Sequence, residues 1–415
     1  MTPEASRGRR VAAYLGLNPS MLGLMAMVVL VGLGEKMAER FLPIYLLALG
    51  GGALSVGLLN GLDNLLSALY SFPGGWISDR WGEKRALLIF NLVAMAGFLV
   101  VIVIPRWEAV IAGSVLFLSW TAISLPASMS LVARVLPAGK RTMGVSMHSL
   151  VRRLPMALGP VLGGACIALW GERAGVRVAF TVALILGVVA LAVQERFIAA
   201  DQKPAGDHTL RLRGALALIT PAMRRLLVAD ILVRFCEQIP YAFVVIWCMK
   251  VIAQPVGAVQ FGLLTTVEMF TAILIYVPVA HFADRGAKKP FVLATFVFFT
   301  LFPLALYFCQ SFWPLAAAFV LRGLKEFGEP TRKALIMALA PEGRKASAFG
   351  AYYLLRDVVV SLAAFGGALL WLISPAANLF TAFGFGVLGT LWFALYGRDE
   401  DPEGRGGGEP GSLTE

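Results

Sequence analysis

Glu35, Lys36, Glu39 and Arg40 lie inside an otherwise apolar run, as do Asp230, Arg234 and Glu237, and again Arg322, Lys325, Glu326 and Glu329. An ionisable side chain in such surroundings costs a few kcal/mol unless it is paired or hydrated, so each marks a place where charge is used. Glu35 and Glu39 stand four residues apart and share one helix face. A carboxylate in a low-dielectric site can titrate near neutral pH, which makes Glu35 and Glu39 the first candidates to carry a proton, with Asp63, Glu237 and Glu268 after them. A cavity holding both signs suits a polar or ionic solute better than a purely apolar one. The plainer account is that these neighbours neutralise one another as ion pairs.

A second set of charges stands out because it is duplicated. Gly57-Leu-Leu-Asn-Gly-Leu-Asp63, with Asp79-Arg80 beyond it, recurs as Gly262-Leu-Leu-Thr-Thr-Val-Glu268 with Asp284-Arg285 beyond it, an offset of 205 residues from Gly57 to Gly262. Pro126, Pro137, Gly139 and Arg152 recur 204 residues on as Pro330, Pro341, Gly343 and Arg356. Asp63 and Glu268 are thus equivalent acids, and Arg152 and Arg356 equivalent bases. Two related halves with matched charges inside apolar sequence point to a membrane transporter built from repeats.

The elements that must position these groups follow from composition. The 415 residues are 58% hydrophobic and 15% charged, against about 45–50% and about 25% in soluble domains. Apolar windows suggest twelve spans: 20–49, 53–78, 86–104, 108–133, 144–170, 178–194, 224–251, 257–282, 290–309, 314–340, 346–373 and 378–396. Each is long enough to cross a hydrocarbon core of about 30 Å. Continuous rather than alternating runs favour helices over a barrel. Residues 1–19 precede the first six-helix half (20–194), a polar linker (195–223) separates it from the second (224–396), and 397–415 reads as a disordered tail.

The net charge of +11 is explained by topology rather than by nucleic acid. With the N-terminus inside, Arg7, Arg9, Arg10, Arg80, Lys84, Arg85, Lys140, Arg141, Arg211, Arg213, Arg285, Lys288, Lys289 and Arg398 all fall in cytoplasmic segments, whereas Arg106, Arg173, Arg177 and Lys250 fall outside. The positive-inside rule then puts both termini in the cytoplasm of a cell (inner) membrane protein. No cleavable signal is expected at the N-terminus. Cys166, Cys236, Cys248 and Cys309 fall within spans without paired spacing, as buried thiols rather than disulfides or metal ligands. No segment outside the spans is large enough for an enzyme domain, and no phosphate-binding Gly-Lys-Ser/Thr loop is present. No cofactor is expected.

After the second span the chain reads Gly75-Trp-Ile-Ser-Asp79-Arg80-Trp-Gly82-Glu-Lys84-Arg85. This resembles the cytoplasmic signature of the major facilitator superfamily, with Glu83 in place of a basic residue; Asp284, Arg285, Lys288 and Lys289 form an eroded second copy. Gly159-Pro160-Val-Leu-Gly163-Gly164 resembles the core of a motif found in the drug:proton antiporter branch. The upstream glycines and the membrane arginine of that branch are missing, and Leu118 stands where symmetry with Arg322 would place the arginine.

The resemblance implies an all-α membrane protein of twelve transmembrane helices in two pseudo-symmetric six-helix halves, with spans 1, 4, 7 and 10 lining a central cavity. It also implies that span 2 packs on span 11 and span 5 on span 8. Two interdomain gating pairs are therefore expected, Asp63–Arg356 and Glu268–Arg152, with Arg153 and Asp357 as neighbours. Counting from the turns, Asp63 and Arg356 differ in depth by roughly 7 Å, so a bridging water or a single conformational state would be needed. Glu329, Arg332 and Lys333 are expected at the rim, and His148, His208 and His281 as ordinary polar residues.

The function expected is secondary active transport of a small polar or ionic solute, proton-coupled, with efflux by antiport preferred. Protons and a small-molecule substrate are the partners, in a monomer within the bilayer. Proton-coupled uptake of an anionic metabolite, a lipid flippase and a non-transporting receptor are the alternatives.

Overall fold

The computed structural model describes residues 19–118, 120–135, 148, 151–198, 219–283, 288–341 and 345–398, and every regular element among them is helical. The first half contains α1 (Pro19–Glu39), α2 (Leu42–Ala48), α3 (Ala53–Trp81), α4 (Glu83–Val103), α5 (Trp107–Phe117), α6 (Trp120–Val135) and α7 (Arg153–Phe197). The second contains α8 (Pro221–Gln238), α9 (Ala258–Ala283), α10 (Lys289–Phe308), α11 (Phe312–Leu324), α12 (Glu329–Leu339), α13 (Lys345–Ile373) and α14 (Pro375–Tyr396). Eight helical stretches among the described residues are long and apolar enough to cross a membrane. Only intrahelical hydrogen bonding satisfies the backbone where no water is available, which is why such apolar sequence adopts helices throughout. Large apolar side chains stand exposed on the outer surface, among them Trp313 at 80% and Ile373 at 75%, as expected of a face that meets lipid.

Helices occupy the expected runs, but four of those runs are not continuous. The run 20–49 breaks at Arg40–Phe41, 108–133 beyond Phe117, 224–251 after Gln238, and 314–340 between Leu324 and Glu329. Proline explains two breaks directly. Pro43 and Pro240 have no N–H to close onto the carbonyls of Glu39 and Cys236. Beyond Pro240 the chain winds through a short 3-10 turn at Tyr241–Phe243 and a wide turn at Trp247–Val251. At the fourth break, Gly328 seats its N–H on Thr295 Oγ1 at 2.5 Å. Conversely, α7 is a hairpin rather than one rod. Gly171 adopts φ 78° and ψ 173°, which reverses the chain and lets Gly175 lie against Cys166 and Ile167.

Small residues set the helix spacing. Gly159 and Gly163 of α7 lie against the backbone of Lys36 and Met37 on α1, where a Cβ at Gly163 would overlap the Met37 carbonyl. Between the halves, α3 meets α13 where Gly57 and Gly61 face Ala368 and Phe365. Likewise α7 meets α9, where Gly164 faces Ala258 and Gly262 faces Pro160. These contacts match the expected packing of span 2 on 11 and span 5 on 8. They all lie towards the end that carries Gly171 and Ser374, here termed the distal end; Pro19, Phe197, Pro221 and Tyr396 mark the terminal end. Glu172 and Lys250 form an ion pair across the halves at the distal rim.

Candidate functional site

Three of the four helix breaks converge on one cavity. Glu39, Arg40, Leu42 and Pro43 come from the first break, Leu118 from the second, and Tyr241, Ala242, Val244 and Val245 from the third. Asn60 and Asp63 on α3, Phe261 on α9 and Arg322 on α11 complete the wall around about 490 Å³ of space, part of it open to solvent. Leu118 and Arg322, which symmetry pairs, both face this cavity, so the charge that one half supplies is replaced by an apolar contact from the other.

Hydrogen bonds from both halves frame it. Arg40 Nη1 donates to Tyr241 Oη at 2.9 Å, and its guanidinium sits 5.2 Å from the Tyr241 ring. Asn60 and Asn64 donate to the backbone and side-chain oxygens of Gln238 at 3.0 and 3.1 Å. Arg322 is buried among aromatic faces, 5.0 Å from Phe302 and 5.6 Å from both Tyr241 and Phe319. Lys36 bridges Glu35, at 3.3 Å, and Glu39. Glu35 keeps Oε2 without a hydrogen-bond partner among the described residues. Asp63 forms no ion pair among those residues, although it lines the cavity.

The second half carries a continuous ladder of charge below this site. Glu268 meets Arg322 and Lys325, each at 3.3 Å, and Lys325 meets Glu237 at 2.8 Å. Glu237 takes Arg234 at 2.7 Å, and Arg234 approaches Glu329 at 3.5 Å and Asp230 at 3.9 Å. Arg332 binds Asp230 and grips Glu329 with two hydrogen bonds of 3.0 and 2.7 Å. Arg356 ends the ladder between Asp230 at 3.5 Å and Asp357 at 2.7 Å, stacked 4.1 Å from the Tyr353 ring, and Tyr352 donates to Asp230 at 3.1 Å. Glu326 reaches the other half, 3.6 Å from Arg153.

Both expected gating pairs are absent from this conformation. Glu268 is held by Arg322 and Lys325 of its own half, and Arg356 by Asp230 and Asp357. Each charge is satisfied nearer at hand, so Asp63 and Arg152 are left without ion pairs among the described residues. The rim expectation for Arg332 is also corrected. It is 1% exposed and is the largest fully buried side chain among the described residues. His148 is buried as well, at 3%. Tyr241, Asn60, Gln238 and Tyr352 went unmarked in the sequence; Pro240 beside Tyr241 was the available signal for a break in the helix.

The signature turn is partly described. Gly82 has φ 92°, a conformation that favours glycine, and joins α3 to α4. Lys84 pairs with Glu195 at 3.1 Å, and Arg80 lies 5.2 Å from the Trp76 ring. Gly75 and Asp79 lie in α3, with their surroundings outside the described residues; Asp284 and Arg285 lie outside them entirely. Gly159, Pro160, Gly163 and Gly164 form the three-helix junction of α7 with α1 and α9. The four cysteines are buried and free.

Known proteins agree with this architecture. The chain is 24% identical over 262 residues to the uncharacterized MFS-type transporter YqjV of Bacillus subtilis (strain 168), covering 61% of this chain and 62% of that protein. It is 26% identical over 153 residues to YfkF of the same organism, covering 35% and 37%. It therefore spans less than two thirds of either relative. The fold is similar to that of a POT family transporter solved with a thioalcohol-conjugated peptide, with a TM-score of 0.75, 12% identity and 91% and 95% coverage. It is equally similar to that of the nucleoside transporter NupG, with a TM-score of 0.75, 15% identity and 92% and 100% coverage. Residues 24–253 and 232–414 match the Major Facilitator Superfamily, and the chain belongs to that family.

Proposed function

We propose that this protein is a secondary active transporter that carries a small polar or ionic solute by alternating access, driven by protons. In this reading twelve spans form two pseudo-symmetric halves, both termini face the cytoplasm, and the distal end faces outwards from the cell membrane. The observation that carries it is the cavity at three of the four helix breaks, where Glu39, Arg40 and Asp63 of one half face Tyr241 and Arg322 of the other. Broken helices place backbone polar groups and charges at mid-bundle, where a solute can exchange water for protein contacts. Apolar walls from Leu59, Val244 and Phe261 exclude a large hydrated shell, while the two cations and two carboxylates orient a charged solute.

Asp63 is assigned the proton. A half-buried carboxylate with no cation against it costs least when it takes up a proton and becomes neutral. Glu35 and Glu39 share one lysine and are assigned to solute binding, together with Arg40 and Arg322. Efflux by antiport is the direction proposed, supported by the likeness of Gly159–Gly164 to the antiporter motif.

The test is flux in proteoliposomes with and without a pH gradient. Wild type should accelerate solute movement when protons flow the opposite way, and Asp63→Asn should lose at least tenfold of that gradient-driven flux while solute counterflow persists. Equal pH dependence in the two proteins removes Asp63 from coupling. Co-directional movement of solute and protons favours uptake over efflux.

A further inference from the structure

A second polar cavity lies inside the first half, apart from the central one. Val28 of α1, Trp120, Ser124, Leu125 and Ser128 of α6, and His148 and Arg152 line about 190 Å³ of space, part of it open to solvent. Ser124, Ser128 and His148 are at least 97% buried. Arg152 follows His148 by one helical turn, its N–H bonded to the His148 carbonyl at 3.1 Å. Trp120 does not serve this space with its polar end, because its Nε1 donates to Asn91 at 2.8 Å on the opposite side.

Two unmet demands meet here. His148 Nε2 is buried without a hydrogen-bond partner among the described residues. The half-buried Arg152 guanidinium has no ion pair and no hydrogen-bond acceptor among the described residues. Glu35 on α1 is the acid whose charge reaches it, but the two form no ion pair, and Glu35 is instead bound to Lys36 at 3.3 Å. A guanidinium is a planar donor shaped for two oxygens of one oxyanion, and Arg152, half-buried here, faces this space without an anion.

We propose that Arg152, His148, Ser124 and Ser128 form a binding site for a carboxylate or phosphate group, separate from the central cavity. Arg152 supplies the charge, the histidine nitrogen a donor in its Nε2–H tautomer, and the serine hydroxyls adaptable donors. The chemistry is shared by free small anions and by acidic lipid headgroups, since the site lies towards the terminal end of α6 and α7.

The test is thermal unfolding of the full chain in neutral detergent, titrated with sodium phosphate and sodium acetate at constant ionic strength. The same measurement in nanodiscs of phosphatidylcholine with or without phosphatidylglycerol separates the lipid source. Wild type should show a saturable rise in Tm with at least one of these probes. Arg152→Gln should weaken the apparent affinity at least tenfold, and Ser128→Ala, a smaller change that keeps the fold, should weaken it several-fold. Arg173→Gln, at the distal rim, should leave the curve unchanged. A rise confined to phosphatidylglycerol discs and lost in Arg152→Gln assigns the site to a headgroup; a rise with soluble anions assigns it to a free solute. The proposal is overturned if no probe gives a saturable rise, or if Arg152→Gln and Ser128→Ala follow the wild-type curve.

Discussion

The ladder from Glu268 to Arg356 shows how a single residue can hold many charges in place. Arg332 contacts Asp230 and Glu329 while 1% exposed and is the nearest cation to both, with Arg234 and Arg356 farther off at 3.5–3.9 Å. Removing one partner of a buried ion pair leaves an uncompensated charge and costs about 3–5 kcal/mol. Arg332→Met is therefore expected to lower stability by about that amount in thermal or chemical unfolding of the purified protein. Arg332→Lys should recover only part, because an ammonium cannot reproduce the double hydrogen bond to Glu329. Adding Asp230→Asn to Arg332→Met should restore some stability by removing one stranded charge. If the single and double variants are equally unstable, Asp230 does not depend on Arg332. The sequence marked these residues as charged and intramembrane, yet it could not say which acid took which base. Spacing along one helix fixes a shared face, whereas the pairing depends on how α8, α9, α11, α12 and α13 pack.

At the scale of elements, helix separation is set where glycine removes a side chain. Gly163 lies against the Met37 backbone, and any Cβ there overlaps its carbonyl. Gly163→Leu should push α7 from α1, distort the Lys36 backbone region, and destabilise by about 1–3 kcal/mol or more. Gly350 in α13 makes the opposite prediction, since a Cβ built there meets nothing within 4 Å. Gly350→Ala should be neutral or stabilising by up to about 1 kcal/mol through helix propensity alone. Unfolding midpoints measured side by side check both, and a tolerated Gly163→Leu would mean that α1 and α7 can separate freely. Where helices run was legible, because apolar length and composition decide it. The interruptions were less so. Pro43 and Pro240 were visible as residues, but a proline in a span can kink a helix or end it, and packing decides which. The cavity exists because it ends them.

The whole molecule is closed in this conformation at its distal end. Contacts of α3 with α13 and of α7 with α9 join the halves there, and Asn60 and Asn64 reach Gln238 while Thr266 donates to the Ala157 carbonyl at 2.7 Å. Glu172 and Lys250 close the rim with a partly exposed ion pair, 30% and 46% accessible. A pair so exposed contributes only about 0–1 kcal/mol, so it biases the closed state rather than locking it. That small energy is the appropriate size for the proposed alternating access, in which the ends open in turn, because a change of about 1 kcal/mol alters a population ratio about fivefold. Lys250→Glu sets two carboxylates against each other and should raise the ratio of distal-open to distal-closed molecules about fivefold. Spin labels at Leu54 and Leu372, both exposed near this rim, would report it as growth of the longer-distance population. Adding Glu172→Lys to Lys250→Glu restores opposite charges with the order exchanged, and should return the distribution to that of wild type. An unchanged distribution in Lys250→Glu would assign distal closure to the glycine-lined helix contacts alone.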